Sequence, residues 1–300
     1  MTSLTGPSTD EQPGRLRRAP RLAATRGGNP LARAALYAVL CILSVIAVLP
    51  FLWMVFGAFK SGQEIRTFPP DLLPRDWTLD NFRTILSDPE MPLLTFYKNS
   101  LFVAVANVVI QLFLASLLGY IFAKYDFRWR QPLFWYLLAL MMVPPSVLMI
   151  PNYLILSELG LLNNLWGLVV TAAINPFAIF VMRQFISTLP NDQIESARID
   201  GASEWRIYRS VVLPQVRPAL ATLALLEFMF NWNAYLWPLI VLTENDKRTL
   251  PVILTWYSTQ HGAQLNLVMA ASVLLVIPVL IFFLLTQRWI VAGLTLTGGK

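Results

Sequence analysis

The chain has 300 residues, of which 56% are hydrophobic and only 13% charged, and its formal net charge is +6. Soluble domains carry about 25% charged residues, so this deficit predicts a protein whose main solvent is lipid. The lone Cys41 excludes an intrachain disulfide, and the lone His261 excludes a histidine cluster that holds a metal. The basic residues form no continuous patch of the kind that binds nucleic acid.

Residues 1–32 are rich in Arg, Pro, Gly, Ser and Thr, and we predict a disordered cytoplasmic tail there. Beyond the tail, six stretches contain the roughly 20 apolar residues that a helix needs to cross a bilayer. They are Ala34–Phe59, Asn99–Ala123, Pro132–Leu156, Leu162–Phe185, Ala219–Leu242 and Leu267–Ile290. An all-α integral membrane protein with six transmembrane helices follows, because a helix satisfies its own backbone polar groups in lipid.

The basic residues in the connections predict the orientation of the six spans. If the N-terminus is cytoplasmic, sixteen Lys and Arg residues lie inside and seven lie outside. Since cytoplasmic connections carry the excess of positive charge, both termini are expected in the cytoplasm.

The segment between the first two spans, residues 60–98, is long and contains several prolines. After them, Trp77–Phe82 has the pattern of a capped helix start, with Thr78 or Asp80 as the N-cap. This external segment is either a lid over the helix ends or a contact surface for an external partner.

Polar residues inside the spans require an explanation, since an intramembrane charge costs about 2.5–3.5 kcal/mol on insertion scales. The candidates for a substrate pathway are Asn107, Gln111, Asn175, Glu227, Asn231, Asn233 and Tyr235. Amides and aromatic faces suit a neutral sugar, but the same amides also form hydrogen bonds between membrane helices. Trp237 is interpreted as an interfacial anchor, and the prolines Pro144, Pro145, Pro151 and Pro176 as kinks.

The connection between the fourth and fifth spans is too long for a simple turn. Asn191 or Asp192 is expected to cap a first helix, with Glu195 in its first turn, and Gly201 to end it in the left-handed conformation. Ser203 is expected to cap a second helix, which Leu213-Pro214 stops.

This connection has the composition of a docking surface. Ala197, Gly201 and Ala202 leave room for close approach, and apolar anchors are predicted at Ile199, Trp205, Ile207 and Tyr208. From these residues alone, the target is either a groove in another protein or an anionic lipid surface.

Three motifs in this connection resemble the EAA loop of type I, binding-protein-dependent ABC importer permeases: Glu195-Ser196-Ala197, Asp200-Gly201-Ala202 and Leu213-Pro214. Ser196 stands where that family usually has alanine, and both residues are small. Other segments are similar to the carbohydrate branch of the family, nearest to the second membrane subunit of maltose-type importers. They are Pro151-Asn152-Tyr153, Leu159-Gly160-Leu161, Asn163-Asn164, Pro176-Phe177, Trp232-Asn233 and Gly293-Leu294-Thr295.

The resemblance implies a MetI-like permease domain over residues 98–290, with its EAA loop at 187–218. The first helix and external segment would occupy 33–97, and a cytoplasmic tail 291–300. The loop would dock in a cleft of a cytoplasmic ATPase dimer through Glu195, Ser196, Ala197, Asp200, Gly201 and Ala202, and Leu213-Pro214 would end it. A second homologous permease and an external solute-binding protein would complete an importer in a prokaryotic plasma membrane. The partner ATPase would use ATP and Mg²⁺, and this chain would bind no cofactor.

The chain lacks the phosphate-binding loop of an ATPase, and its spans lack the residue pairs of an intramembrane enzyme, so we expect no catalysis. Two alternatives remain from the sequence: an ion-coupled secondary transporter with Glu227 as its coupling site, and a membrane scaffold without transport. The solute is expected to be a sugar or oligosaccharide, with glycerol-phosphate-type solutes still open.

Overall fold

The structure is a computed structural model that describes residues 30–259 and 264–297. Most of the predicted tail, His261 and the last three residues lie outside these ranges. The helices are α1 Pro30–Ala58, α2 Asp80–Ser87, α3 Leu93–Lys124, α4 Arg130–Leu140, α5 Pro145–Glu158, α6 Leu165–Ala172, α7 Pro176–Ser187, α8 Asn191–Ile199, α9 Glu204–Ile207, α10 Leu213–Gln215, α11 Arg217–Trp232, α12 Leu236–Val241, α13 Val252–Thr259 and α14 Leu265–Thr297. A π-helical turn covers Tyr208–Val212, and the described residues contain no strand.

Three helices are long and apolar enough to cross a bilayer unbroken, namely Arg33–Ala58, Leu93–Lys124 and Leu265–Gln287. The expected all-helical membrane fold is therefore confirmed, and the span count reaches six only if each bent helix pair counts as one span. α3 begins six residues before its predicted start because Pro92 precedes it and sets the first turn.

The other predicted spans are interrupted, which corrects the expectation of continuous helices. α4 and α5 meet at a bend of 102°, and α6 and α7 at a bend of 47°. The predicted fifth span breaks after Trp232 and resumes as α12. Each break lies within about one turn of a proline, at Pro145, Pro176 or Pro238. Proline has no N–H, and its ring clashes with the carbonyl four residues earlier, so a regular helix cannot continue through it unchanged.

Among the described residues, 30–50 form one unit, and those from Phe51 onward form a second. In that first unit, every described side chain of α1 is exposed, although the helix is apolar on all sides. An exposed helix without a polar face is typical of a membrane span.

In the second unit, α3 packs against α6, α7 and α11, while α14 packs against α2, α11 and α13. The close approach of α3 to α7 depends on Gly119, where an added Cβ would lie 2.8 Å from the Met182 Cβ. One apolar core lies near α2 and α13, a second surrounds the α8–α10 region, and a smaller third joins α3, α5, α6 and α12.

The segment between α1 and α3 is held by a buried asparagine rather than by a helix cap. α2 begins at Asp80, and Thr78 Oγ1 accepts a hydrogen bond from its N–H at 3.1 Å, so neither predicted residue is the formal N-cap. Asn81 Nδ2 donates to the carbonyl oxygens of Ala58 and Lys60, each at 2.8 Å. The end of α1 therefore receives its hydrogen-bond partners from α2, as helix C-termini require.

Candidate functional site

A cavity of about 520 Å³ opens between α3, α5, α6, α11 and α12. It lies where three predicted spans are broken, since Pro145, Pro176 and Ala234 all line it. Its polar lining consists of Asn107, Gln111, Ser146, Asn152, Thr171, Asn175, Asn231, Tyr235 and Trp237. Non-helical backbone at membrane depth is tolerated where it lines such a cavity.

Polar side chains stabilise the broken ends of α6 and α7. Gln111 Nε2 donates to the Ala172 carbonyl oxygen at 2.7 Å, at the C-terminal end of α6. Asn175 Oδ1 accepts from the N–H groups of Phe177 and Ala178 and thereby caps α7. The break predicted at Asn175-Pro176 is confirmed, and its backbone groups are bonded within the bundle.

A chain of hydrogen bonds joins α3, α11 and the break before α7. Asn107 Nδ2 donates to Asn231 Oδ1 at 2.6 Å, and Asn231 Nδ2 donates to the Glu227 carbonyl oxygen at 2.8 Å. Asn175 Nδ2 donates to Glu227 Oε1 at 2.7 Å. We call these four residues and Gln111 the polar seam. Each of its side chains makes at least one hydrogen bond within the bundle, as polar side chains in membrane helices commonly do.

Two oxygens of the polar seam lack a donor among the residues that the structure describes. They are Asn107 Oδ1 and Gln111 Oε1, in side chains that are 1% and 3% exposed. A buried acceptor without a partner costs about 1–3 kcal/mol.

The structure brings together five of the seven predicted pathway residues at the cavity: Asn107, Gln111, Asn175, Asn231 and Tyr235. Glu227 is buried outside the lining and reaches the cavity only through Asn175.

Asn233 is exposed, donates to the Met229 carbonyl oxygen at 2.8 Å and does not line the cavity. Ser146 and Asn152 were missed as lining residues, although a polar residue in an apolar run already marks such positions. Trp237 was predicted to be an interfacial anchor, but it lines the cavity. Its Nε1 donates to Thr171 Oγ1 at 3.2 Å.

A second candidate site is the bent hairpin of residues 191–215. Gly201 has φ +76° and Ser203 Oγ accepts from the Arg206 N–H at 3.3 Å, which confirms the predicted turn and the second cap. The predicted N-cap of the first hairpin helix was wrong, because α8 begins at Asn191 and Pro190 precedes it without a side-chain cap. The Asn191 Oδ1 atom instead accepts from Lys124 Nζ at 2.7 Å, which ties the hairpin to the end of α3.

Leu213-Pro214 does not stop the second helix of the hairpin. The Leu213 N–H donates to the Tyr208 carbonyl oxygen, five residues back, and helical backbone continues to Gln215. The chain then bends by 78° into α11 at Val216. A wider π turn ahead of Pro214 relieves the clash that its ring would cause in a regular α-helix.

The hairpin is exposed at its tip and buried at its base. Ile199 is 86% exposed and Trp205 54% exposed, as predicted for anchors. Ile207 and Tyr208 are buried instead, and the Tyr208 hydroxyl is hydrogen-bonded to Ser116 Oγ of α3 at 2.8 Å. These two residues therefore hold the hairpin to the bundle and are unavailable to a partner, because their helix face packs on α3 and α7.

The residues predicted to contact the ATPase also fall into an exposed group and a half-buried group. Those at the tip are exposed, namely Glu195, Ser196, Asp200 and Gly201, while Ala197, Ala202, Leu213 and Pro214 are half-buried. A Cβ added at Gly201 would meet no atom of the chain within 4 Å, so the backbone there is open to close approach.

An ion pair across the turn links the two arms of the hairpin. Arg198 Nε donates to Glu204 Oε1 at 2.7 Å, and the Tyr125 hydroxyl donates to Glu204 Oε2. These hydrogen bonds, that from Arg198 first, hold the pKa of the Glu204 carboxyl below its usual value. The turn is therefore charged and bonded at neutral pH.

A membrane bundle with a cavity at its broken helices and an exposed hairpin at one end defines a multi-pass membrane permease. Residues 115–295 match the family described as binding-protein-dependent transport system inner membrane component, and the chain belongs to this family. It is a permease of an ABC importer, which confirms the expectation from the EAA-like motifs.

Curated relatives and a solved structure agree with this assignment. The chain is 35% identical to the arabinooligosaccharides transport system permease protein AraQ of Halalkalibacterium halodurans, over 86% of this chain and 93% of the relative. It is 33% identical to the sn-glycerol-3-phosphate transport system permease protein UgpE of Pectobacterium atrosepticum, over 85% and 94%. A crystal structure of a bacterial ABC transporter that imports the acidic polysaccharide alginate matches with a TM-score of 0.77 at 28% identity, over 86% and 96%.

Proposed function

We propose that the chain forms the translocation pathway for a neutral oligosaccharide, together with a second homologous permease. An external solute-binding protein delivers the sugar, and a cytoplasmic ATPase dimer drives alternating access. The observation that carries the proposal is the cavity wall, which presents amides, hydroxyls and aromatic rings and, among the described residues, no charged side chain. Such a lining suits a solute with many hydroxyl groups.

The relatives differ in the charge of their solutes, and the cavity favours a neutral one. A phosphate or carboxylate group taken out of water needs a cation or a dense set of donors. The described lining instead offers amide and hydroxyl groups and no cation. The cavity of this chain therefore fits the hydroxyl donors of a sugar better than glycerol phosphate or an acidic polysaccharide.

The hairpin supports coupling to a separate ATPase. Its base is fixed by Lys124 and Tyr208, and its arms are joined by Arg198 and Glu204. A force on the exposed tip would therefore move the hairpin as one piece and act on α11, which follows the 78° bend. Since α11 carries Glu227 and Asn231 of the polar seam, motion at the hairpin would reach the cavity.

The orientation and the domain boundaries form part of this proposal. Both termini and the hairpin lie in the cytoplasm of a prokaryotic cell whose plasma membrane holds the chain. Residues 98–290 form the permease domain, preceded by the tail and the first helix with its external segment. ATP and Mg²⁺ bind to the partner ATPase, and this chain binds no cofactor.

The test is ATP-driven uptake by the complete importer in liposomes that enclose ATP, with the binding protein and solute added outside. Labelled arabinotriose, maltotriose and lactose serve as neutral probes, and sn-glycerol 3-phosphate as the anionic one. We expect ATP-dependent uptake of at least one sugar and no competition by the phosphate. Uptake of the phosphate alone, or sugar uptake by the isolated chain on an ion gradient, would contradict the proposal.

A further inference from the structure

A second pocket, of about 440 Å³, lies at the end of the bundle opposite the hairpin. We call it the outer pocket, because the proposed orientation places it outside the cell. Its lining residues are Asn99, Phe102, Asn163, Asn164, Leu165, Trp166, Asp246 and Lys247. They come from α3, from the turn before α6 and the first turn of α6, and from the segment after α12. None of them belongs to the polar seam.

Hydrogen bonds from two asparagine side chains hold these three segments together. Asn163 Oδ1 accepts from the Thr243 N–H at 2.6 Å, from Thr243 Oγ1 at 2.8 Å and from the Glu244 N–H at 3.2 Å. Asn99 Nδ2 donates to the carbonyl oxygens of Asp246 and Arg248, each at 2.9 Å. The frame of the outer pocket is therefore formed before any ligand arrives, which lowers the entropic cost of binding.

The outer pocket and the membrane cavity lie in series along the same two helices. Asn99, Val103, Asn107 and Gln111 are spaced four apart and share one face of α3. Asn99 lines the outer pocket, and the other three line the cavity. Eight residues from Asn99 to Asn107 correspond to about 12 Å along the helix. On α6, likewise, the first turn lines the outer pocket and later residues line the cavity.

The chemistry of the outer pocket suits a sugar ring. Trp166 is 50% exposed and is fixed by an edge-to-face contact with Phe102, with ring centroids 5.2 Å apart. A fixed, open indole face can stack on the apolar face of a pyranose or furanose. Asn164 and the Asp246–Lys247 pair, whose charged atoms are 3.4 Å apart, surround it with donors and acceptors of balanced charge.

We propose that the outer pocket is a binding subsite for one unit of the neutral oligosaccharide whose translocation we propose above. Trp166 stacks on the sugar ring, and Asn164, Asp246 and Lys247 form hydrogen bonds with its hydroxyls. The next units then reach the membrane cavity along α3. The subsite would receive the sugar as it leaves the external binding protein.

The direct test uses the complete importer in nanodiscs, labelled with 5-fluorotryptophan and studied by fluorine NMR without the binding protein. Trp166→Phe assigns the Trp166 resonance, and Trp135→Phe assigns a control tryptophan that is similarly exposed and lines neither pocket. The probes are arabinotriose, maltotriose and lactose. We expect the sugar that the importer takes up to shift the Trp166 resonance and not that of Trp135.

The second readout is uptake. Trp166→Ala should reduce sugar uptake about three- to tenfold, while Trp135→Ala should leave uptake unchanged. If uptake is ATP-dependent but the Trp166 resonance does not respond to sugar, the subsite is wrong and the proposed function stands. A resonance that moves only when the binding protein is added would make the pocket a protein contact instead. If the wild-type importer takes up none of the sugars, the proposed function and the subsite both fail.

Discussion

The hairpin and the polar seam depart from the usual burial of side chains in opposite ways. The hairpin exposes Ile199 and Trp205 at the surface, whereas the polar seam buries Asn107, Gln111 and Glu227 inside an apolar bundle. The seam offsets its burial by hydrogen bonds between helices, as buried polar groups must. At the hairpin, Trp205 keeps ring contacts with Phe113 and Tyr208 although half of it is exposed, whereas Ile199 is 86% exposed.

This difference separates two kinds of functional residue. A buried polar group that bonds to its neighbours determines how helices are arranged, so its substitution should change both stability and transport. An exposed apolar group on a fixed base contributes little to stability, so its substitution should change transport alone. The following substitutions test that separation.

The largest effect on transport is expected at the hairpin tip, for Gly201→Asn. Asparagine tolerates the left-handed conformation that Gly201 adopts, so the change adds bulk with little backbone strain. We expect ATP-driven uptake to fall at least about tenfold, the equivalent of about 1.4 kcal/mol, with an unchanged melting temperature.

Gly160→Asn is the matched control, because Gly160 has φ +65° and its added Cβ also meets nothing within 4 Å. Uptake by that variant should stay within about twofold of the wild type. Equal losses in the two variants would show that backbone strain, and not a partner at the hairpin tip, explains the result.

An intermediate effect, on stability, is expected for Glu227→Leu in the polar seam. The substitution removes the acceptor of Asn175 Nδ2 and leaves this half-buried donor without that partner, which costs about 1 kcal/mol. Thermal unfolding of the detergent-purified chain measures the loss.

Glu227→Gln keeps an oxygen acceptor and should retain both stability and ATP-driven uptake. This variant also distinguishes an ATP-driven importer from an ion-coupled carrier. If Glu227→Gln abolished uptake while the chain remained as stable as the wild type, Glu227 would be a coupling site, as an ion-coupled carrier requires.

The smallest effect is expected for Glu204→Gln, which weakens the ion pair with Arg198 across the turn. Amide hydrogen exchange at Ala202 should become modestly faster at neutral pH, since exposed ion pairs contribute little. Glu195→Gln, at an exposed position earlier in the hairpin, should leave that rate unchanged.

The pH dependence of the Glu204 interaction follows from its lowered pKa. The pKa of Glu204 in the folded protein lies below that of the unfolded chain, so its contribution to stability is present at neutral pH. It should be lost only as the pH falls through the folded pKa, below the ordinary glutamate value of about 4.3. A wild-type hairpin that loosens between pH 8 and 6 would contradict this sign.

Much of the local backbone was predictable from the sequence. The apolar runs predicted membrane helices, Gly201 predicted a left-handed turn, and Ser203 predicted a helix cap, because each depends on residues close together in the chain. The prolines at 144–145 and 176 marked two of the breaks for the same reason. The third break, which precedes Pro238 by about one turn, was not predicted, because the residues on both sides of it are apolar.

By itself, the sequence determined the solvent of this protein and the local conformation of its turns, since composition and short-range sterics decide both. Only the tertiary structure decided which polar residues meet. Helical spacing placed Asn107 and Gln111 on one face, yet the packing of α3 against α6 and α11 joined them to Ala172 and Asn231. The same packing left Asn233 outside the cavity and buried Ile207 and Tyr208, because burial depends on neighbours that are distant in the chain.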